Sequence, residues 1–270
     1  RMSKFDNLLF IRSNSSGLIF IIIYVDDLVV GGEHLVYINK VKMLFSGKFE
    51  MKDMNKLHYF KGIEVIRAGD GIMLSQRHYI LNLLFKFGMT DHVPISTPFD
   101  RNLKMHTDSG TPCEPAQYQQ IIGSLICLPV ANSGKHCAKW VLRYVRGTMD
   151  WGIFYATGVT IRLVGYTDSD WTDNVSDRCS TSEFAFSLES GAISWSSKKQ
   201  SIVALSNTEV EHVGMVIATC EGNRLKRLLK DINESIEEPI RIYCGNQSSI
   251  HLTRNWVFHA KMKHIEVHYH

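Results

Sequence analysis

Two apolar, β-branched runs stand near the start of the chain, at residues 8–12 and 18–24. A polar turn containing Gly17 separates them, and this order predicts a β-hairpin. A short apolar run at residues 28–30 follows the second run after two aspartates. The pattern therefore predicts a second hairpin, which shares its first strand with the hairpin before it.

Helical spacing of apolar residues follows at residues 33–45 and again at residues 76–89, where a plausible C-cap, Gly88, ends the pattern. Between these segments, residues 58–75 read as another hairpin that turns at residues 67–71. The first half of the chain is therefore predicted to mix short hairpins with amphipathic helices.

The second half of the chain predicts the order strand, strand, strand, helix, strand, helix. The segments are residues 161–167, 183–190, 192–199, a long helix from about residue 207, then 239–245 and 248–255. Three hairpin-linked strands that lead into a helix and a further strand indicate an α/β sheet of mixed direction.

Asp26 and Asp27 stand side by side within an otherwise apolar segment, residues 18–30. Burying one unpaired charge costs several kcal/mol, roughly, unless the charge is paired, binds a metal or reaches water. The pair is therefore expected at a tight turn or at a cation. An Asx-type turn, in which adjacent aspartates need no further function, is the alternative.

Composition narrows the class of protein. The chain has 270 residues, 44% of them hydrophobic and 21% charged, which is ordinary for a globular protein of one or two domains. Its net charge of +3 means that affinity for nucleic acid must come from local patches. The longest apolar run is far shorter than the roughly 20 residues that span a bilayer. We expect an intracellular protein, cytoplasmic or nuclear, that is neither secreted nor bound to a membrane.

Six cysteines are scattered without Cys-x-x-Cys spacing, as expected of reduced thiols. Four histidines lie near the end of the chain, at positions 259, 264, 268 and 270. Because no cysteine lies close to them and no helical carboxylate motif joins the first two, we expect no zinc site there.

Several sequence blocks, in their order along the chain, resemble the Pol polyprotein of copia-type long-terminal-repeat retrotransposons. The blocks are YVDDLVV, FEMKDMNKLHYFKGIEVIR, LSQRHYILNLLFKFGM, STP, WVLRYVRGT, GYTDSDW, GAISWSSKKQSIVALSNTEVEH and HAKMKHIEVHYH. The resemblance implies an α+β and α/β chain with a truncated reverse-transcriptase palm and thumb region at residues 1–155. It also implies a ribonuclease H-like mixed α/β domain, truncated at its C-terminus, at residues 160–270.

In the polymerase of this family, the resemblance implies that Asp26 binds the metal ions and that Asp27 lies beside it. Two Mg²⁺ ions in such a site, about 4 Å apart, activate the primer hydroxyl and neutralise the developing charge on phosphate. The family also uses an upstream aspartate and a fingers region, for which residues 1–25 leave no room. We therefore expect that this chain by itself does not polymerise DNA.

In the ribonuclease H-like domain, the resemblance implies that Asp168 is the first catalytic carboxylate, with Asp170 as the alternative. For the glutamate we select Glu209, because a helical stripe defined by Val213, Ile217 and Cys220 places Glu209 about 40° and Glu211 about 160° from its centre. Metal binding is assigned to Asp26, Asp168 and Glu209. Ser206 and Glu209 also have the spacing of a capping box, a purely structural alternative that is compatible with the metal role.

The third carboxylate of the family is missing, since this chain has Gly245 where the family has aspartate. Asn246 is a poor substitute because it is neutral and, on a strand, faces the opposite side. A fourth acidic position is assigned to Glu266. Because a carboxylate is absent, we expect weak or absent Mg²⁺ binding and slow or no cleavage of RNA–DNA hybrids.

The family activities are RNA-directed DNA polymerase and ribonuclease H, and the sequence leaves open whether this chain is an enzyme. The alternative is a non-catalytic module that binds an RNA–DNA hybrid or another nucleic-acid backbone. Its candidate cations lie near Trp140, Tyr144 and Trp195. They are Lys135, Lys139, Arg143, Arg146, Lys198 and Lys199. A structural alternative, which we favour, is that Trp140 and Tyr144 belong to the core and the cations to a solvated face.

Overall fold

The computed structural model describes residues 1–14, 17–98, 120, 123–124, 135–171, 179–201, 203–204 and 206–254. The chain divides into two compact units, of which one comprises Arg1–Asn55 with Gly158–His270 and the other comprises Lys56–Thr157. The predicted division into residues 1–155 and 160–270 concerns ancestry rather than packing. It is not tested by this grouping and stays a prediction.

The first unit begins with a three-stranded antiparallel sheet in the order β1-β2-β3. Its strands are β1 (Leu9–Asn14), β2 (Gly17–Tyr24) and β3 (Asp27–Gly32). Helix α1 (Leu35–Ser46) follows directly. Both predicted hairpins are confirmed, because the β-branched runs pair with each other on either side of short turns.

The second unit contains a four-stranded antiparallel sheet in the order β4-β5-β6-β7. Its elements are β4 (Tyr59–Phe60), β5 (Ile63–Ala68), β6 (Gly71–Ser75), helix α2 (Arg77–Lys86), helix α3 (Lys135–Gly147) and β7 (Gly152–Ala156). The two helices bury a common core of Ile80, Leu83, Leu84, Met89, Val141, Leu142 and Val145.

The second sheet of the first unit has the order β10-β9-β8-β11. Its elements are β8 (Leu163–Asp170), β9 (Thr181–Leu188), β10 (Gly191–Lys199), helix α4 (Asn207–Asp231), β11 (Arg241–Cys244) and helix α5 (Gln247–Arg254). Strand β11 is parallel to β8, whereas the other pairs are antiparallel. The predicted α/β sheet of mixed direction is therefore confirmed.

Helix α4 begins at a capping residue and ends near a second hydrophobic core. The hydroxyl oxygen of Ser206 accepts a hydrogen bond from the backbone N–H of Glu209 at 3.2 Å, which satisfies one free donor of the first turn. Along the helix, Ala218, Leu225 and Leu229 pack with Phe186 of β9. Gly222 allows this approach, since a Cβ atom there would lie 3.2 Å from the Phe186 ring.

A third core joins the first sheet to the end of helix α4. Leu9, Ile11 and Leu18 are buried, and Leu228 and Ile232 pack against them. Each buried aliphatic side chain contributes roughly 1.5–3 kcal/mol to folding. Residues that precede the second unit in sequence and residues that follow it therefore share one hydrophobic core. Among the described helices, none is long and apolar enough to cross a membrane.

Helix α2 ends in a Schellman motif at the glycine that the sequence pattern indicated. Gly88 has a φ of +62°, and its N–H bonds to the carbonyl of Phe85 at 3.1 Å. The N–H of Met89 bonds to the carbonyl of Leu84 at 2.8 Å, and the Met89 side chain is buried in the core. The left-handed backbone at Gly88 thus directs the chain back into the core.

Replacing Gly88 tests this ending. Among the described residues, no atom lies within 4 Å of a Cβ atom at position 88, so the cost of Gly88→Ala comes from the positive φ rather than from a clash. We expect the variant to lose about 1 kcal/mol of unfolding free energy in urea denaturation. Gly69→Ala is the matched control, because its Cβ atom is equally unobstructed and its φ is not in the left-handed region. Equal losses in the two variants would contradict this reasoning.

Candidate active site

The two adjacent aspartates lie at the tight turn between β2 and β3. Tyr24 pairs with Asp27, so Val25 and Asp26 form a two-residue turn, and both carboxylates are exposed. Val25 has a φ of +47°, which is uncommon for a β-branched residue and costs roughly 1–3 kcal/mol. The expected turn position is thus confirmed, and the charges avoid burial by facing solvent.

A second group of carboxylates lies at the end of β8. Asp168 and Asp170 are both exposed and lie on the same face of the strand, whereas Ser169 between them is buried. Asp168 pairs with Glu183 of β9 in the strand register, and the Ser197 hydroxyl donates to Glu183 Oε1 at 2.7 Å. The outer face of the sheet therefore carries several acidic side chains in neighbouring positions.

Helix α4 carries a further carboxylate, Glu211, on which the charges of Asp168 and Asp170 act. Its side chain is only 6% exposed, and burial raises its pKa, with the negative charges of Asp168 and then Asp170 acting in the same direction. A hydrogen bond from the Cys244 thiol, 3.9 Å from Glu211 Oε2, acts in the opposite direction. The raised pKa reflects a carboxylate that lies near like charges as well as in a desolvated position.

Cys244 is the last residue of β11 and touches the same group. Burial raises the pKa of its thiol, and the neighbouring charges of Glu211 and Asp168 also raise it. The thiol therefore keeps its proton at neutral pH and can donate a hydrogen bond to Glu211.

The charge of Asp168 acts on Glu211, whereas the sequence pattern selected Glu209. Glu209 lies in the first turn of α4 and is also buried, at 7% exposure. The buried stripe of the helix contains Val210, Val213, Gly214, Ala218, Gly222, Leu225 and Leu229. At roughly 100° per residue, its centre lies about 40° from Glu211 and about 160° from Glu209.

This reversal has a simple cause. The stripe used for the prediction included Cys220, which is exposed, and omitted the small residues that face the sheet. Counting Gly214, Ala218 and Gly222 as packing positions would have found Glu211. The metal-binding role predicted for Glu209 stays a prediction.

Gly245 follows β11 directly, one residue beyond the pair formed by Cys244 and Thr167. Because strand residues alternate between faces, position 245 is on the face that carries Asp168. No atom of the described residues lies within 4 Å of a Cβ atom at this glycine, so the start of a side chain is unobstructed there. Asn246 does not take over the role, since its Oδ1 accepts the Ser249 N–H at 3.0 Å and thereby caps helix α5.

The candidate site offers few ligands for a metal ion. Carboxylate oxygens of Asp168, Asp170 and Glu211 are of the type that Mg²⁺ prefers. Within the described part of the chain, however, no three His, Cys, Asp or Glu side chains converge closely enough to hold a metal ion. Asp26 and Asp27 likewise form a pair without a described third ligand. Glu266 lies outside the described residues. The residues described therefore do not by themselves complete a metal site.

The predicted cationic residues fall in two separate places. Lys139, Arg143 and Arg146 lie on α3 of the second unit, whereas Lys198 and Lys199 end β10 of the first unit. The side chain of Lys135 lies outside the described residues.

The aromatic residues beside α3 favour the structural interpretation. Arg143 Nε donates to the carbonyl of Val93 at 2.7 Å and its guanidinium lies over the Trp140 ring, 6.0 Å from the centroid. Tyr144 packs against the core of the second unit. Trp140 is half-buried. These contacts support a packing role for both aromatic side chains.

Comparison with known proteins assigns the chain to a class. Residues 2–101 match the family model described as reverse transcriptase (RNA-dependent DNA polymerase). The chain is 35% identical, over 98% of its length, to the retrovirus-related Pol polyprotein from transposon RE2 of Arabidopsis thaliana, of which it covers 20%. It is 33% identical, over 97% of its length, to the Pol polyprotein from transposon TNT 1-94 of Nicotiana tabacum, of which it covers 22%.

The chain belongs to the Pol family of copia-type retrotransposons. It spans about a fifth of the length of these two transposon relatives. It also matches an uncharacterised mitochondrial protein of Arabidopsis thaliana, with 30% identity over 75% of this chain and 92% of that protein. No solved structure matches the chain significantly.

The raised pKa of Glu211 predicts the sign of a stability change. Between the unfolded and the folded pKa of this group, the folded chain holds a proton that the unfolded chain releases, so stability falls as the pH rises. Glu211→Gln removes that loss. We expect the variant to be more stable than the unmodified chain above the folded pKa, and to lose this advantage as the pH falls below the unfolded pKa. Urea denaturation from pH 4 to pH 8 measures the difference.

Glu221→Gln is the control for the opposite sign. Hydrogen bonding to Arg224 holds the pKa of Glu221 below its ordinary value, so its stabilising effect is present above the unfolded pKa and is lost as the pH falls. Removing Glu221 should therefore reduce stability at neutral pH. A pH-independent effect of Glu211→Gln would show that Glu211 is not perturbed in this way.

Proposed function

We propose that residues 160–270 form a ribonuclease H-like domain that binds RNA–DNA hybrids and cleaves them slowly or not at all. The sheet has the order β10-β9-β8-β11, and helix α4 connects β10 to the parallel edge strand β11. This arrangement supports the proposal. So does the effect of the Asp168 charge on the buried Glu211, since ligands of open α/β sheets bind at the carboxyl ends of strands such as β8.

Asp168 and Glu211 are the two carboxylates that we assign to catalysis in this domain, with Asp170 next to them. Asp168 is exposed and can reach a bound ion or the nucleic acid, while Glu211 is buried and restrained by the Cys244 thiol. Glu209 remains the alternative glutamate, with the capping of α4 as its structural role. Magnesium, when bound by such carboxylates, would stabilise negative charge developing on phosphate.

The unobstructed space at Gly245 is the observation that carries the proposed impairment. Carboxylates gathered without enough ligands bind divalent ions poorly, because the ion must replace its hydration shell with protein oxygens. A position beside Asp168 that could hold an acidic side chain instead holds hydrogen. We therefore expect weak metal binding and slow cleavage, because position 245 has no carboxylate.

For the reverse-transcriptase part we propose contact with nucleic acid rather than independent polymerisation. The exposed aspartates of the β2–β3 turn form a pair, and two carboxylates offer too few ligands for two metal ions. The polymerase activity of the longer Pol relatives is therefore not part of the function that we propose for this chain by itself.

A non-catalytic nucleic-acid-binding module is the second candidate function. Lys198 and Lys199 are exposed at the end of β10, on a surface that a phosphate backbone would be able to contact. Binding of a hybrid that weakens as salt rises, without cleavage, would favour this module over the impaired nuclease.

Gly245→Asp tests the proposed function directly. We expect the purified unmodified chain to cleave a labelled RNA–DNA hybrid at background rate in magnesium. The variant should cleave at least about tenfold faster, equivalent to about 1.4 kcal/mol of transition-state stabilisation. Gly245→Asn is the matched control, because it adds the same volume without the charge.

Two results would contradict the proposal. One is robust hybrid cleavage by the unmodified chain, which would show that no carboxylate is missing. The other is equal activity of the Asp and Asn variants. Adding Glu211→Gln to Gly245→Asp should return the rate to background, whereas adding Glu209→Gln should leave most of it.

A further inference from the structure

A row of aromatic side chains crosses one face of the sheet β10-β9-β8-β11. Tyr243 of β11 pairs with Tyr166 of β8 in the strand register. Tyr166 also pairs with Ala185 of β9, which in turn pairs with Trp195 of β10. Tyr166 and Tyr243 are each 53% exposed, and Trp195 is 48% exposed. Large apolar side chains that lie together at the surface are typical of an interaction site.

The aromatic row lies on the face of the sheet opposite to helix α4. Phe186 of β9 is fully buried and packs with Ala218 and Leu225 of the helix. Because successive strand residues point to opposite faces, its neighbour Ala185 points away from the helix. The residues that pair with Ala185 share its face, so the row is not part of the core beneath α4.

Ala185 forms the floor of a slot whose walls are Tyr166 and Trp195. These two residues lie on the strands on either side of β9. Neighbouring strands are about 4.8 Å apart, so the two backbones are separated by about 9–10 Å. Side chains of a strand stand roughly perpendicular to the sheet, whereas Ala185 ends at its Cβ atom. A planar group that contacts a ring on each side needs roughly 7–8 Å, so the slot has room for one planar ring.

Tyr243 supports the first wall of the slot. The rings of Tyr166 and Tyr243 are stacked, with centroids 5.4 Å apart and an angle of 22° between their planes. Because Tyr243 covers the face of the Tyr166 ring that is directed to β11, the other face is directed to Ala185. A planar group in the slot would therefore continue an existing stack.

Glu183 determines which planar group the slot favours. It is exposed and lies two residues from Ala185, on the same face of β9. Its Oε1 accepts a hydrogen bond from the Ser197 hydroxyl at 2.7 Å, and a carboxylate can accept several such bonds. The amino groups of cytosine and adenine donate to an acceptor of this kind, whereas thymine has a carbonyl oxygen at the equivalent position. The carboxylate therefore favours a base that carries an amino group.

Exposed cations lie near both ends of the aromatic row. Arg241 precedes Tyr243 by two residues on β11, and Lys199 follows Trp195 by four residues on β10. The even spacing places each cation on the same face as its aromatic neighbour. These side chains are placed to contact phosphates that flank a bound base, which offsets the repulsion between phosphate and Glu183.

We propose that the slot binds one unpaired nucleic-acid base, with the ring between Tyr166 and Trp195 and the amino group directed to Glu183. The inference goes beyond the proposed function, because it concerns an unpaired base rather than a hybrid duplex and needs no metal ion. Stacking on aromatic side chains accepts every base, so the carboxylate supplies the preference. The slot thus prefers cytosine to thymine.

Fluorescence anisotropy of labelled single-stranded octamers, in metal-free buffer at pH 7.5, tests this site. The unmodified chain should bind oligo(dC) at least about fivefold more tightly than oligo(dT). Trp195→Ala should weaken oligo(dC) binding at least about tenfold, because one wall of the slot is lost. Trp151→Ala is the matched control and should leave binding unchanged, since it removes an exposed indole from the second unit.

Two further variants distinguish the slot from a general aromatic or acidic surface. Ala185→Leu fills the floor of the slot while it keeps every ring, and it should weaken oligo(dC) binding as strongly as Trp195→Ala. Glu183→Gln introduces an amide that donates as well as accepts, so the ratio of the two affinities should fall towards one. Both positions are exposed, so we expect both variants to fold even where Trp195→Ala does not.

Three results would overturn the proposal: no measurable binding of oligo(dC), unchanged binding in Ala185→Leu, or an unchanged preference in Glu183→Gln. Displacement of oligo(dC) by a short arginine-containing peptide as efficiently as by cytidine would also overturn it, since the slot would then take a polypeptide side chain. None of these measurements uses hybrid cleavage. Failure of Gly245→Asp to cleave hybrids would therefore count against the proposed function alone.

Discussion

Close approach of helix α4 to strands β8 and β9 is the constraint on which the candidate site depends. Gly214 lies against hydroxyl groups of the sheet, and Gly222 lies against Phe186. Glycines cost helix stability, by roughly 1 kcal/mol each relative to alanine. Here they let the helix axis come near enough for Glu211 to accept a hydrogen bond from the Cys244 thiol at the end of β11. Larger residues at these positions would move Glu211 away from Cys244.

Electrostatic repulsion and burial both disfavour the ionised form of Glu211 in this arrangement. Glu211 is buried, and the charges of Asp168 and Asp170 further disfavour its ionised form. Sites of this kind are stable when a divalent ion compensates the negative charge, and an ion needs several oxygen ligands. The hydrogen atom of Gly245 supplies none. Glu211 therefore bears the electrostatic cost of burial near like charges.

The first compact unit combines two parts of the Pol polyprotein. Residues 2–101 match the reverse-transcriptase family model, yet the hairpin that includes Ile11 and Leu18 packs against Leu228 near the end of helix α4. Asp231 reinforces this contact by accepting from the Ser3 hydroxyl at 2.7 Å and from Arg1 at 3.0 Å. Family boundaries and packing boundaries thus differ, because burial of apolar surface depends on which side chains meet rather than on their ancestry.

Local sequence determined much of this protein. Alternating β-branched runs specified the hairpins, Ser206 specified the start of α4, and Gly88 specified the end of α2, because each depends on neighbours within a few residues. The family and the exposed position of Asp26 were also readable. Only the tertiary structure shows which side of α4 faces the sheet, since that buried face is defined by small residues. The choice between Glu209 and Glu211 stays a prediction. The tertiary structure alone brought Tyr166 and Trp195 to either side of Ala185 and left space beside Gly245. Such contacts join residues that are distant in sequence, and no local pattern encodes them.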